Sequence, residues 1–418
     1  MIILAFQLSL NMMKIPRFAN LLFIALILIA SCSKDQNEQT DDYLLDYKFE
    51  MLYPVETISS FLSVLLYEYP EASGLLDHAQ YGVQLYTIHY QTHYQDSVIT
   101  ASGLVCIPMA DGEFPVISFQ NGTNTAHDNA PSIDLFNENY MMLQLVASNG
   151  YIILIPDYIG FGSSESILHP YYHRTTTNNA VIDMIKAFKE LENKSDILPY
   201  SSDNTYLMGY SQGGWATLSV FEEIEQGEET GIQVAAVSCG AGAYDLKTMS
   251  SFVLGQETFP GPLYLPYFIY SHMDLGLVPG PLSLYFKSPY VEKIPELFDG
   301  SLTNSEVVAE LTDQIADLVT DNMRNNFESG QDFIQLREEL AENSLTAWNT
   351  SKKLRFYHGT EDVNVPIAQS LAMYGDFIDA GADPDQISLF ELNGSDHGTG
   401  LIPWGILTLN WFNALENK

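Results

Sequence analysis

Short apolar runs alternate along most of this chain with longer segments whose apolar positions recur at helical spacing. The runs are Phe114 to Gln120, Tyr151 to Ile155, Thr205 to Met208, Val234 to Ser238, Leu354 to His358 and Ile387 to Leu392. Each is short and bounded by turn residues or a helical segment, which predicts a buried strand. The segments Tyr140 to Ser148, Asn178 to Glu192, Gln212 to Gln226, Pro366 to Ala380 and Pro403 to Glu416 read as helices. In the second of these, Ala180, Met184, Ala187, Phe188 and Leu191 share one face, and Asp183, Lys186, Lys189 and Glu190 lie largely opposite. Such alternation predicts an α/β fold with a mostly parallel sheet flanked by helices on both faces. Ahead of it, Val83 to Tyr90 and Ser97 to Pro108, joined by the polar Gln91 to Asp96, predict an antiparallel hairpin. No fixed-period repeat is present, so a solenoid or propeller is not indicated.

The stretch from Leu246 to Asn349 breaks the alternation. Turns rich in Pro, Gly and Tyr come first, then helical spacing around Ser305 to Glu328 and Asp332 to Glu342. Long insertions at a surface connection cost little chain entropy, so residues 246–349 are expected to form a mainly helical cap on a core made of 46–245 and 350–418. The N-terminus carries a different pattern. Lys14 and Arg17 precede an apolar run from Phe18 to Ala30, broken only by Asn20, that stops at Ile29-Ala30-Ser31-Cys32. Its apolar core is too short to span a bilayer comfortably, and small residues precede the cysteine, so 1–31 reads as an export signal. Residues 33–42 have no apolar side chain to bury, and 32–45 are expected to form a flexible tether. The segment resembles a bacterial lipoprotein signal, which implies lipidation of Cys32 and a place as an outer-membrane or cell-surface lipoprotein of a Gram-negative bacterium.

Composition sharpens this picture at two points. With 418 residues, 46% hydrophobic and 12% aromatic, the chain can bury a large core and is not natively disordered. With 17 basic against 53 acidic residues its formal net charge is -36. That charge repels phosphate backbones and anionic membrane surfaces, which argues against nucleic acid as a partner and confines membrane attachment to the N-terminal anchor. Besides Cys32 only Cys106 and Cys239 are present, and either a disulfide or two buried thiols fits an exported chain. No spacing of Cys and His matches a zinc site, and His127 with Asp128 offers two ligands, too few for a metal.

Candidate chemistry sits where predicted strands end. The segment Tyr206 to Ala216 reads as apolar strand, Gly-rich turn and helix around Gly209-Tyr210-Ser211-Gln212-Gly213. A serine hydroxyl is a weak nucleophile and needs presentation at a tight turn beside a base, with donors waiting for the oxyanion. Ser211 is the expected nucleophile, and the Gln212 N–H, at a helix N-terminus, is one expected oxyanion donor. The loop after Pro115 to Gln120 supplies the second through the backbone of Thr123. Asp362, in His358-Gly359-Thr360-Glu361-Asp362, follows a strand and can orient an imidazole, with Glu361 its nearest rival. His397, in a polar loop after the last strand, is the expected base, and the order Ser, Asp, His suits an α/β-hydrolase.

With these pieces in place the chain resembles the secretory lipases, the group that includes fungal lipase A type enzymes. The likeness spans roughly Tyr81 to Leu415 and rests on Ala101-Ser102-Gly103-Leu104-Val105, Gln120 to Thr123, Ala130-Pro131-Ser132, Pro156 to Ser164, His169-Pro170-Tyr171, Gly209 to Gly214 and His358 to Pro366. It implies an α/β-hydrolase fold, lipase or esterase activity on small or polymer-borne esters through an acyl-enzyme, a helical cap, no cofactor, and triad roles for Ser211, Asp362 and His397. Asn121 stands where many hydrolases carry histidine, and Cys106 and Cys239 do not reproduce the fungal disulfides. Acetyl-polysaccharide deacetylation or peptide hydrolysis on the same fold, and a non-catalytic surface binding lipoprotein, are the competing readings.

Overall fold

The computed structural model describes residues 43–68, 70, 79–194, 200–227 and 229–416. The expected signal, Cys32 and the tether as far as residue 42 lie outside the described residues. The strands are β1 (Leu44–Tyr53), β2 (Val83–Tyr94), β3 (Ser97–Pro108), β4 (Glu113–Gln120), β5 (Ile152–Pro156), β6 (Tyr200–Tyr210), β7 (Val234–Gly240), β8 (Lys353–Gly359) and β9 (Ile387–Leu392). They form one 9-stranded sheet in the order β1-β2-β3-β5-β4-β6-β7-β8-β9. From β1 to β5 neighbouring strands are antiparallel, and from β5 to β9 they are parallel.

The sheet is buried on both faces, and alternate residues of the same strand feed different cores. Val116, Leu154, Leu207 and Val237 point into one, while Ile117, Ile153, Tyr206 and Ala236 point into the other. Helices α1 (Val55–Glu68) and α2 (Glu138–Ala147) cover the second face with the C-terminal helix, through Ile58, Leu143 and Trp404. Helices α3 (Arg174–Lys194) and α4 (Gln212–Gln226) cover the first, through Met184, Phe188, Trp215 and Phe221. Between β7 and β8 come α5 (Leu246–Gly255), α6 (Tyr264–Asp274), α7 (Tyr290–Leu297), α8 (Asn304–Glu310), α9 (Ile315–Leu318), α10 (Asp321–Asn326) and α11 (Ile334–Glu342). Phe268, Leu336 and Leu340 of this insertion belong to the same core as the first sheet face. The chain finishes with α12 (Ala368–Asp379) and α13 (Leu401–Leu415).

The expected α/β architecture is the one observed, with four local differences. Strand pairing begins at Leu44, inside the stretch expected to be tether to residue 45. Strand β1 and helix α1 have no counterpart in the sequence reading, because β1 is an edge strand with mostly exposed side chains and no clean alternation. Helices α5 and α6 occupy a stretch that reads as turns, since its Pro, Gly and Tyr content masks the helical spacing. The single helical stretch expected over 305–328 is three short helices, α8 to α10, with the first and last capped by Thr303 and Thr320. Cys106 on β3 and Cys239 on β7 are buried and free. Three strands separate β3 from β7 in the sheet, four spacings of about 4.8 Å, far beyond disulfide reach.

Candidate active site

Four strand ends converge at the carboxyl edge of the parallel sheet, where ligands of open α/β sheets are expected. Ser211 follows β6 directly and holds φ 61°, ψ -122°, a positive-φ conformation that a non-glycine residue adopts only when its surroundings impose it. Those surroundings are glycines with no room for a side chain. A Cβ on Gly209 would stand 2.3 Å from the Gly213 carbonyl oxygen, one on Gly213 would stand 2.0 Å from that of Gln120, and one on Gly214 would stand 2.4 Å from that of Gly240. Strand, turn and α4 are thereby pressed together, and the Ser211 hydroxyl is left at the turn's tip.

His397 reaches it from the loop between β9 and α13. Its Nε2 lies 2.8 Å from Ser211 Oγ and its Nδ1 lies 2.6 Å from Asp362 Oδ2. Asp362 is held in turn by the backbone N–H groups of Asn364 and Val365, at 2.9 and 2.8 Å from Oδ1. His358 Nε2 stands 3.4 Å from Asp362 Oδ2 while donating to the Val365 carbonyl at 2.7 Å. Glu361, the rival acid, is exposed. The loop carrying His397 is pinned rather than free. Tyr210 donates to the His397 carbonyl at 2.8 Å, the Glu361 N–H donates to Ser395, and Asp396 accepts from Thr399 N–H at 2.8 Å.

The expected oxyanion groups flank this row. Gln212 opens α4. The loop after β4 meets the elbow through Gly122, whose Cβ, if present, would lie 4.0 Å from that of Ser211. Thr123 beside it is braced by its hydroxyl against Tyr171 OH at 2.8 Å and by Asn304 Nδ2 on its carbonyl at 2.7 Å. Asn121, the residue in place of the commoner histidine, ties this loop to the end of β5 by donating to the Pro156 carbonyl at 2.7 Å.

A cavity of about 60 Å³ opens beside Ser211. Its walls come from Tyr171 and Tyr172 of the core, Leu246, Met249 and Val253 of α5, Leu265 and Phe268 of α6, and Leu340 of α11. The lining is overwhelmingly apolar, so it favours hydrocarbon over charged groups. His127, considered above with Asp128, packs its ring against Gly300. Among the described residues no group of three or more His, Cys, Asp or Glu is arranged to hold a metal ion.

One buried group went unread in the sequence. His169, which the sequence offers only as part of His169-Pro170-Tyr171, is a buried loop residue whose Nε2 lies 3.2 Å from the side-chain nitrogen of Gln212, next to the serine. The signal that could have found it is the pair of glycines at 160 and 162 preceding His169-Pro170, a loop shaped for close approach.

The secretory lipase family model matches residues 129–249, which contain the elbow and helices α2, α3 and α4. No curated protein matches the chain by sequence. A candidate hydrolase from Legionella pneumophila is similar in structure at a TM-score of 0.79 and 28% identity, over 90% of this chain and 99% of that one. The rice cell wall degrading esterase LipA from Xanthomonas oryzae is similar at 0.76 and 21%, over 91% and 98%. Candida antarctica lipase A in its closed state is similar at 0.65 and 16%, over 90% and 83%. The fold is that of the α/β-hydrolase esterases and lipases, and the likeness to secretory lipases expected from the sequence is met by the family match.

Proposed function

For this chain, a hydrolase of the lipase and esterase type, we propose hydrolysis of carboxylic esters through an acyl-enzyme on Ser211. The observation that carries the reading is the unbroken row Ser211 Oγ, His397 Nε2, His397 Nδ1, Asp362 Oδ2, with contacts of 2.8 and 2.6 Å. In the proposed reaction His397 Nε2 takes the Ser211 proton as Oγ bonds to the ester carbonyl carbon. Asp362 holds the Nδ1–H and balances the imidazolium, and the N–H groups of Gln212 and Thr123 hold the oxyanion. His397 then passes the proton to the departing alcohol. Water, deprotonated by His397, attacks the acyl carbon and releases the acid, restoring Ser211.

The apolar cavity beside Ser211 is assigned to the acyl chain, and the 246–349 insertion, which supplies most of its wall, to a cap over the site. The cell-wall esterase activity of LipA supports a second reading of the substrate alone, an ester carried on a polymer. Export agrees with the secretory lipase match. Lipidation at Cys32 and display at the surface of a Gram-negative cell belong to the same proposal.

A panel of p-nitrophenyl esters from acetyl to octanoyl, run beside acetylated xylan, tests it. Turnover and fluorophosphonate labelling are expected in the wild type, with labelling abolished and turnover lower by about 10⁴-fold or more in Ser211→Ala. Absence of turnover and of label in the wild type refutes it, and ligand retention equal in both proteins without reaction would point to a binding lipoprotein.

A further inference from the structure

Asp157, Tyr158, Ile159, Phe161, Ser164 and His169 are buried yet have no part in the proposed chemistry. Their contacts form a chain that ends on Gln212. Asp157, at the end of β5, accepts from the hydroxyls of Ser102 and Ser132 and from the Ser132 N–H, which fixes the start of the loop. Gly160, at φ 96°, has no space for a side chain, because a Cβ there would stand 2.5 Å from the Cα of His169. The loop therefore lies flat on His169 and brings the Ile159 carbonyl to 2.7 Å from its Nδ1. A carbonyl can only accept, so Nδ1 carries the proton, and in the neutral ring Nε2 is left as an acceptor. Nε2 faces the Gln212 side-chain amide at 3.2 Å, and that amide's oxygen has no hydrogen-bond partner. Rings of Tyr158, Phe161 and Tyr267 surround the imidazole at centroid distances of 5.0 to 5.9 Å and hold its plane.

We propose that His169 is a positioning residue for the oxyanion site: by accepting from the Gln212 side chain it holds the first residue of α4 so that the Gln212 N–H points at the developing oxyanion. This rests on the ester-hydrolase reading above. An amide nitrogen must donate and a δ-protonated imidazole must accept, so the tautomer set by Ile159 also sets which way Gln212 faces. Burial lowers His169 to about 4, against the opposing effect of its hydrogen bond to the Ile159 carbonyl, so the ring stays neutral at ordinary pH. Ser211 itself is not touched. The device acts on where the donor stands when the carbonyl oxygen gains charge.

The experiment compares wild type, His169→Phe, His169→Gln, Gln212→Met and the double variant His169→Phe/Gln212→Met. His169→Phe keeps an aromatic ring in the cluster and removes the acceptor, whereas His169→Gln restores an acceptor. Loss of a whole oxyanion donor costs about 10²-fold or more in kcat, so a donor held loosely is expected to cost about 10-fold. His169→Phe and Gln212→Met should each lower kcat by about 10-fold with KM within about 2-fold, and the double variant should fall no further. His169→Gln should recover most of the rate. Affinity for a boronic acid that mimics the tetrahedral intermediate should fall by the same factor as kcat, which a loss of packing alone would not produce. Equal losses in His169→Phe and His169→Gln, multiplying effects in the double variant, or unchanged boronate affinity would each overturn the inference while leaving the ester-hydrolase reading intact. A wild type without turnover would remove both.

Discussion

Burial pushes the Asp362 carboxyl up, yet hydrogen bonds from His358 and His397, the His397 charge and the Val365 N–H together hold it down at about 2. A carboxyl depressed on folding stabilises the fold above its unfolded value near 4 and loses that contribution as pH falls toward 2. The amount is on the order of 2 kcal/mol. Denaturant midpoints between pH 5 and 2 should show this loss in the wild type and not in Asp362→Asn. The same substitution should lower kcat by about 10³- to 10⁴-fold with little change in KM, since an amide no longer enforces the Nδ1–H tautomer of His397. His169 titrates in the other window. Its folded value of about 4 lies below the ordinary 6.5, so folding favours the neutral ring. That stability is present above about pH 6.5 and is lost as pH falls to 4, on the order of 3 kcal/mol, and urea titrations at pH 7 and 4.5 should show the limb in wild type and not in His169→Gln.

At the scale of elements, the elbow and the insertion respond differently to small changes. Gly213→Ala sets a Cβ 2.0 Å from the Gln120 carbonyl oxygen, a backbone atom that no rotamer change can move, so α4 must withdraw from β4. A stability loss of at least about 3 kcal/mol is expected by chemical denaturation, together with loss of turnover as the Gln212 N–H leaves its place. The insertion instead depends on helix ends. Thr303 accepts from the Glu306 N–H while the Glu306 carboxylate accepts from the Thr303 N–H, a capping box at the start of α8. Thr303→Ala should cost about 1 kcal/mol by thermal melting. These elements also differ in how far the sequence announced them. The elbow was legible because its geometry is local, with strand, Gly-x-Ser-x-Gly and helix contiguous in the chain. Helices α5 and α6 were not, since what holds them helical is packing of Val253, Leu265 and Phe268 on a core that a single-strand pattern does not describe.

Across the molecule, the insertion and one face of the sheet share a single hydrophobic core, and the described residues form one compact unit. One cooperative thermal transition is therefore expected. Phe268→Ala, which empties a buried ring of α6, should lower that transition as a whole by about 3 to 4 kcal/mol rather than split off a second one, as calorimetry would show. The alternation of apolar runs and helical segments determined the α/β class and most of the strands, because side-chain periodicity depends on each element's own geometry. It also marked Ser211, Asp362 and His397 as candidates, because each lies just beyond a recognisable strand. What the tertiary structure decided is distance. Ser211 and His397 are 186 positions apart, His397 and Asp362 are 35 apart, and Gln212 and His169 are 43 apart. Only closure of the parallel sheet brings those strand ends to one edge. The same closure set Asp362 rather than Glu361 against His397, separated Cys106 from Cys239 by three strands, and brought the loop residue His169 onto Gln212. Such outcomes depend on contacts between distant segments, which local patterns in a chain do not encode.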